Sequence, residues 1–158
     1  MTKWLTIVGM GEDGWEGLSA AARQSILSAR HVVGSQRLLS LVPEISGVKQ
    51  EWPQPFSAVL QRIQPFRGEQ TVVLATGDPM NYGVARKLME TIPFSDITVI
   101  PHLSAFSLAA ARMGWSLPDC DTLTLHGRET AHIEPFIQPD ARLFVLTADA
   151  STVADVAR

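Results

Sequence analysis

Asp78 stands between Gly77 and Pro79, directly after the wholly apolar run Val72-Val73-Leu74-Ala75 and Thr76. A short apolar run of this kind is what a strand buried on both faces looks like. Its abrupt break marks the carboxyl end of that strand, where open α/β sheets bind ligands. Gly77 lets the main chain approach a ligand with no Cβ in the way. Pro79 fixes φ and presets the loop for a following helix. Asp78 is the charged group of the loop, and two readings of it stand side by side. It holds a hydroxyl or amine of a ligand, or it only organises its own turn.

Two further stretches carry the same kind of chemistry. Gly9-Met10-Gly11-Glu12-Asp13-Gly14 and Pro101-His102-Leu103-Ser104-Ala105-Phe106 are rich in glycine, proline and small polar residues. Both are backbone-rich loops rather than nucleophile–base constellations. The four histidines, His31, His102, His126 and His132, have no metal-ligand spacing, so no metal site is read.

Strand-like runs precede each of these loops. Trp4–Val8 reads as a first strand, and a helix follows from Ser19 to Ala29, with Ser19 as cap and Ile26 and Leu27 toward the core. His31–Gly34 is a second strand, Gln36–Leu41 a short helix ended by Pro43, and Val48–Trp52 a third strand. Phe56, Val59, Leu60 and Ile63 fall at i, i+3, i+4 and i+7, a helix stopped by Pro65. Strand Thr71–Ala75, helix Tyr82–Ile92, strand Ile97–Ile100 and helix Ser104–Met113, closed by Gly114, complete the alternation. Such alternation predicts an α/β fold, a parallel sheet with helices on both faces. All three loops then converge on one edge of it.

The pattern changes after Trp115-Ser116-Leu117-Pro118-Asp119, which has linker character. Residues 1–117 therefore read as an amino-terminal α/β domain, and 118–158 as the start of a second, incomplete one. The final stretch Ser151–Arg158 looks like the first turns of a helix capped by Ser151 or Thr152, so the chain is expected to continue.

Gly9-x-Gly11-x-x-Gly14 after a strand also matches the dinucleotide fingerprint. That fingerprint needs a helix opening inside the glycines and an acid closing the second strand. Here the helix is expected only near Ser19, and His31-Val32-Val33-Gly34-Ser35 ends in no acid. A tight turn and a ligand loop of another kind remain as the alternative readings.

Composition bounds the rest. The 158 residues are 46% hydrophobic and 18% charged, as an ordinary soluble globular protein is. A net charge of -3 with 13 Lys and Arg gives no electrostatic footprint for nucleic acid or an anionic membrane. The single cysteine, Cys120, leaves no internal disulfide and fits a reducing cytoplasm. No signal peptide or transmembrane run is read.

The first loop, the Gly-Asp-Pro loop and the Pro-x-x-Ser-Ala turn stand in an order that resembles the tetrapyrrole (precorrin) methylase family, over nearly the whole chain. "VGMGEDGWEGLSAAAR", "VVGSQRLL", "SAFSLAAARMGW" and "LTLHGR" are similar to the branch acting at C5 of a precorrin ring. Glu12-Asp13-Gly14, where most of the family has Pro-Gly-Asp, marks that branch. The resemblance implies two α/β domains with S-adenosylmethionine in the cleft between them, and methylation of a precorrin macrocycle in cobalamin biosynthesis. It implies cofactor contacts at Gly9, Gly11, Thr76, Gly77, Asp78, Asn81, Ser104, Ala105 and Leu146, with Asp78 also the catalytic candidate. Precorrins carry acetate and propionate carboxylates, so Arg128, with His126 beside it, and Arg37 are the expected substrate contacts. His102 and Met80-Asn81 depart from the family pattern. A homodimer, and a decarboxylating methyltransferase domain fused or separate, are the partners implied. A cobalt-bearing precorrin substrate, and a non-catalytic nucleotide-binding module, remain as alternatives.

Overall fold

The computed structural model describes residues 3–53 and 58–157. Phe56, expected to open a helix, lies outside them. The chain divides into two compact units, 1–104 and 105–158.

The first unit is built on a parallel sheet. Its strands are β1 (Leu5–Met10), β2 (His31–Gly34), β3 (Val48–Glu51), β4 (Thr71–Thr76) and β5 (Ile97–Ile100). They lie in the order β3-β2-β4-β1-β5, with every pair parallel. Alternation along the strands divides the core into two faces. Ile7, Val33 and Val73 point to one face, against Val59 and Ile63 of α4 (Val59–Ile63) and Ala85 and Leu88 of α5 (Val84–Met89). Val8, Val32, Val72 and Leu74 point to the other. There they meet Ala22 and Ile26 of α2 (Ala20–Ser28) and Leu38 and Leu39 of α3 (Gln36–Ser40). Apolar residues at consecutive positions of β4 are thus required, because both sides of that strand are covered.

The caps follow local chemistry. Ser19 Oγ accepts the N–H of Ala22 at 3.2 Å, and Ser35 Oγ that of Leu38 at 3.3 Å, each satisfying an orphan donor of a first turn. Leu27, expected in the core with Ile26, is 44% exposed; a helix this short on a sheet buries one stripe, and Ile26 fills it. As expected, α4 ends at Ile63, just before Pro65. Pro65 itself sits in a 3₁₀ turn, Gln64–Phe66, near whose start its missing N–H costs nothing.

The second unit holds a parallel pair, β6 (Asp121–Thr124) and β7 (Leu143–Leu146), with helices α6 (Ala105–Met113) and α7 (Ala150–Val156). Phe106 and Ala110 of α6 pack with Phe144 of β7, and Trp115 stacks obliquely on Phe144 at 5.4 Å. These contacts group α6 with the second unit, so the division falls before this helix, whereas the linker character of Trp115–Asp119 pointed after it. The cap of α7 is Asp149, not Ser151 or Thr152: its Oδ1 accepts from the N–H of Thr152 at 3.0 Å. No described helix is long and apolar enough to cross a membrane.

Candidate functional site

The strand order places the chemistry. From β1 the chain crosses to β2 on one side, and from β4 it crosses to β5 on the other. The two strands are neighbours, paired from Leu5↔Thr71 to Met10↔Thr76. Connections that leave adjacent strands in opposite directions open a crevice at their carboxyl ends. Both glycine-bearing loops flank that crevice.

The loops are tied together by backbone. Gly77 N–H donates to Met10 O at 2.8 Å, prolonging the β1–β4 ladder into the loops. A Cβ on Gly9 would stand against the Gly77 carbonyl and 2.8 Å from the backbone nitrogen of His102, so three loops meet there at backbone contact. Gly77 itself has φ +63, a conformation that side chains resist. The convergence expected from the alternation of strands and loops is thus met, and the backbone contacts give its closeness.

Asp78 is half-buried, and its Oδ1 accepts the N–H of Met80 at 2.9 Å. Asn81 N–H donates to Asp78 O at 3.2 Å, closing the same turn. Pro79 was expected to preset the next helix, but α5 opens only at Val84, after Gly83. Pro79 is instead buried within the loop, where its carbonyl accepts from Ala85 N–H at 3.2 Å.

Arg37, at the start of α3, reaches the same edge. Its Nη1 donates to Glu12 Oε1 at 2.9 Å and its Nη2 to Thr76 Oγ1 at 3.3 Å. The fork thereby links the first glycine loop to the end of β4. On the other flank of that loop, His102 Nε2 lies 3.8 Å from Asp13 Oδ1, and its buried Nδ1 has no partner among the described residues. A cleft of about 550 Å³ opens here, lined by Gly9, Asp13, Leu18, Ile100, His102 and Leu103 among others. Neither Glu12 nor Asp13 was assigned a role from sequence. Their partners lie far along the chain, so no local spacing signals them.

The expected site residues of the first unit therefore share one edge: Gly9, Gly11, Arg37, Thr76, Gly77, Asp78, Asn81 and the buried Ser104 at the end of the β5 loop. Those of the second unit are placed within it. Ala105 opens α6, and Leu146 ends β7 with its carbonyl accepting from Leu125 N–H at 2.8 Å. His126 and Arg128 are exposed in the loop after β6, held by Arg128 N–H to Leu125 O at 3.1 Å.

The dinucleotide reading meets two facts. A one-turn helix, α1 (Gly14–Gly17), does open at the third glycine, earlier than Ser19, because Gly14 takes φ +58. It ends at once: Leu18 is extended, and the longer helix starts after Ser19. More decisively, β4 lies between β1 and β2, whereas dinucleotide folds keep those two strands adjacent.

The model of the tetrapyrrole (corrin/porphyrin) methylases matches residues 4–158. A precorrin-6Y C(5,15)-methyltransferase [decarboxylating] of Sinorhizobium sp. is 38% identical over 99% of this chain and 38% of its own length. The chain thus spans about two fifths of that relative. A cobalt-precorrin-7 C(5)-methyltransferase of Salmonella typhimurium is 32% identical over 78% of this chain and 62% of its own. Among solved structures, a cobalamin-biosynthesis precorrin-6Y methylase from Archaeoglobus fulgidus superposes with a TM-score of 0.69. It is 25% identical and covered over 72% of its length by 90% of this chain.

Proposed function

The chain belongs to the tetrapyrrole (corrin/porphyrin) methylase family, and on that premise we propose that it carries out S-adenosylmethionine-dependent C-methylation of a precorrin at C5, in cobalamin biosynthesis. The observation that carries this reading is the pair of glycine-bearing loops flanking the β1–β4 crevice. The relatives named above act at C5 by their names.

The residues present fit the cofactor. Gly77 bares a left-handed stretch of backbone at the crevice, and Asp78, Asn81 and Thr76 add a carboxylate, an amide and a hydroxyl beside it. That donor and acceptor set suits a ribose, an amine and a carboxylate. When bound, S-adenosylmethionine supplies an electrophilic methyl on a sulfonium. The meso carbon of the macrocycle is the nucleophile, so no protein nucleophile is required. What the chain does is hold two partners in line and exclude water, positioning worth about 7–11 kcal/mol of barrier. Backbone-rich loops locked to one another, as Gly9, Gly77 and His102 are, suit that task better than a triad.

Ala105 and Leu146 are assigned to the cofactor and His126 and Arg128 to substrate carboxylates. Arg128 is exposed at the end of a strand, with a guanidinium fork suited to carboxylates. We assign the protein to the cytoplasm, with a homodimer as its assembly. A decarboxylating methyltransferase domain, fused or separate, is its functional companion, because the decarboxylating relative is much longer than this chain. The cobalt-bearing substrate is the second reading, favoured by the Salmonella relative.

The test is methyl transfer by the full-length protein from ¹³C-methyl-labelled S-adenosylmethionine to a metal-free precorrin and to its cobalt form. Label at C5 of the metal-free ring supports the first reading, and of the cobalt ring alone the second. Label on neither, with both ligands bound, overturns the assignment.

A further inference from the structure

We infer that Arg37 is a carboxylate-exchange site, at which Glu12 is the internal stand-in for a carboxylate of the tetrapyrrole. The inference rests on the proposed function and deepens it. Three of the loops at the carboxyl edge of this sheet, 9–14, 76–83 and 101–104, contain no Lys or Arg. They do contain Glu12, Asp13 and Asp78. Arg37, brought in by α3, supplies the guanidinium that a polyanionic macrocycle needs at this edge.

The fork is held in two unequal ways. Nη2 rests on Thr76 Oγ1 at the end of β4, a position fixed by the sheet. Nη1 rests on Glu12 Oε1, whose side chain is 83% exposed on the first loop. An ion pair this open to water adds little stability and exchanges readily with an external carboxylate. Thr76 keeps the guanidinium plane aimed while Glu12 leaves, so the incoming carboxylate meets an oriented donor. Glu12 is thus a competitor of the substrate. It weakens binding modestly and denies the site to ligands too weakly charged to displace it.

The test measures binding of uroporphyrin III, a polycarboxylate tetrapyrrole, to the full-length protein by tryptophan quenching. Binding of S-adenosylhomocysteine is measured in parallel by calorimetry. Glu12→Gln should tighten uroporphyrin binding about two- to fivefold, the span of an exposed ion pair. Arg37→Gln should weaken it about tenfold or more, as loss of a charge-assisted bond does. In the double variant the gain from Glu12→Gln should vanish, because its target is gone. Circular dichroism confirms that each variant is folded. Unchanged or weaker uroporphyrin binding by Glu12→Gln overturns the inference, and so does a gain that survives in the Arg37→Gln background. A gain for S-adenosylhomocysteine rather than uroporphyrin also overturns it, since the carboxylate would then be the cofactor's. Failure of the wild-type protein to bind S-adenosylhomocysteine counts against the proposed function instead, and the uroporphyrin series still decides the exchange.

Discussion

The carboxylate of Asp78 accepts the backbone N–H of Met80 at 2.9 Å, so one of its oxygens closes the turn that presents Gly77 to the crevice. The two readings of Asp78 are therefore not exclusive, and two substitutions separate them. Asp78→Asn keeps an oxygen for Met80 and should leave the thermal midpoint nearly unchanged. If the charge also holds a ligand, that variant loses about 1.5–3 kcal/mol of S-adenosylhomocysteine binding or transfer rate. Asp78→Ala loses the same and in addition about 1 kcal/mol of stability. We expect both losses, read by calorimetry and denaturant titration. An Asn variant that binds and transfers methyl like wild type would leave Asp78 a turn residue alone.

Gly9 is the tightest point of the loop junction. A Cβ there meets backbone of the Gly-Asp-Pro loop and of His102, neither of which can swing away. Gly9→Ala should cost about 1–3 kcal/mol or more, as overpacking does. Gly68→Ala is the control: its φ is +91 but the space around it is open, so left-handed strain alone applies, about 1–2 kcal/mol. Urea midpoints of the two variants should fall in that order, and equal midpoints would contradict the junction.

The cap of α7 gives a pH prediction. The hydroxyl of Ser151, then the N–H and hydroxyl of Thr152, hold the Asp149 carboxyl below its ordinary value of 3.8. A depressed carboxyl stabilises the fold above its unfolded pKa and stops doing so as pH falls through the lower folded value. The contribution of this charged cap is thus full well above 3.8 and fades progressively as pH falls through that value and below it. Carboxyl NMR titration should show Asp149 moving up toward the ordinary value in Ser151→Ala. No movement would show that the hydroxyl does not set it.

Much of this architecture was legible in the residues, and the reasons are physical. Val72–Ala75 reads as a doubly covered strand and is one, and Ser19 and Ser35 mark helix starts by the donors they satisfy. Ile97–Ile100 is bounded by Pro101 and stands as expected. What stayed hidden depends on tertiary pairing. The insertion of β4 between β1 and β2 leaves no trace in local periodicity, yet it is what separates this sheet from a dinucleotide fold. The Arg37–Glu12 and His102–Asp13 pairs join residues far apart in sequence, so Arg37 could be expected at the substrate and His102 read as a lone histidine, but their acidic partners gave no local signal. Leu27 and Ser151 misled because periodicity and cap preference each admit a neighbour one or two positions away.

Calorimetric titration of the full-length protein with S-adenosylhomocysteine and, separately, with NAD distinguishes a methylase from a dinucleotide-binding protein. The account predicts saturable binding of S-adenosylhomocysteine, abolished in Gly77→Val, whose side chain would meet Leu103 O and take a left-handed φ. At about a hundred times its Kd that ligand should add about 2.7 kcal/mol to stability, because it binds the native state alone. NAD should give no saturable heat. Saturable binding of NAD, with S-adenosylhomocysteine inert, would contradict the methylase reading and return the glycine loop to the dinucleotide class.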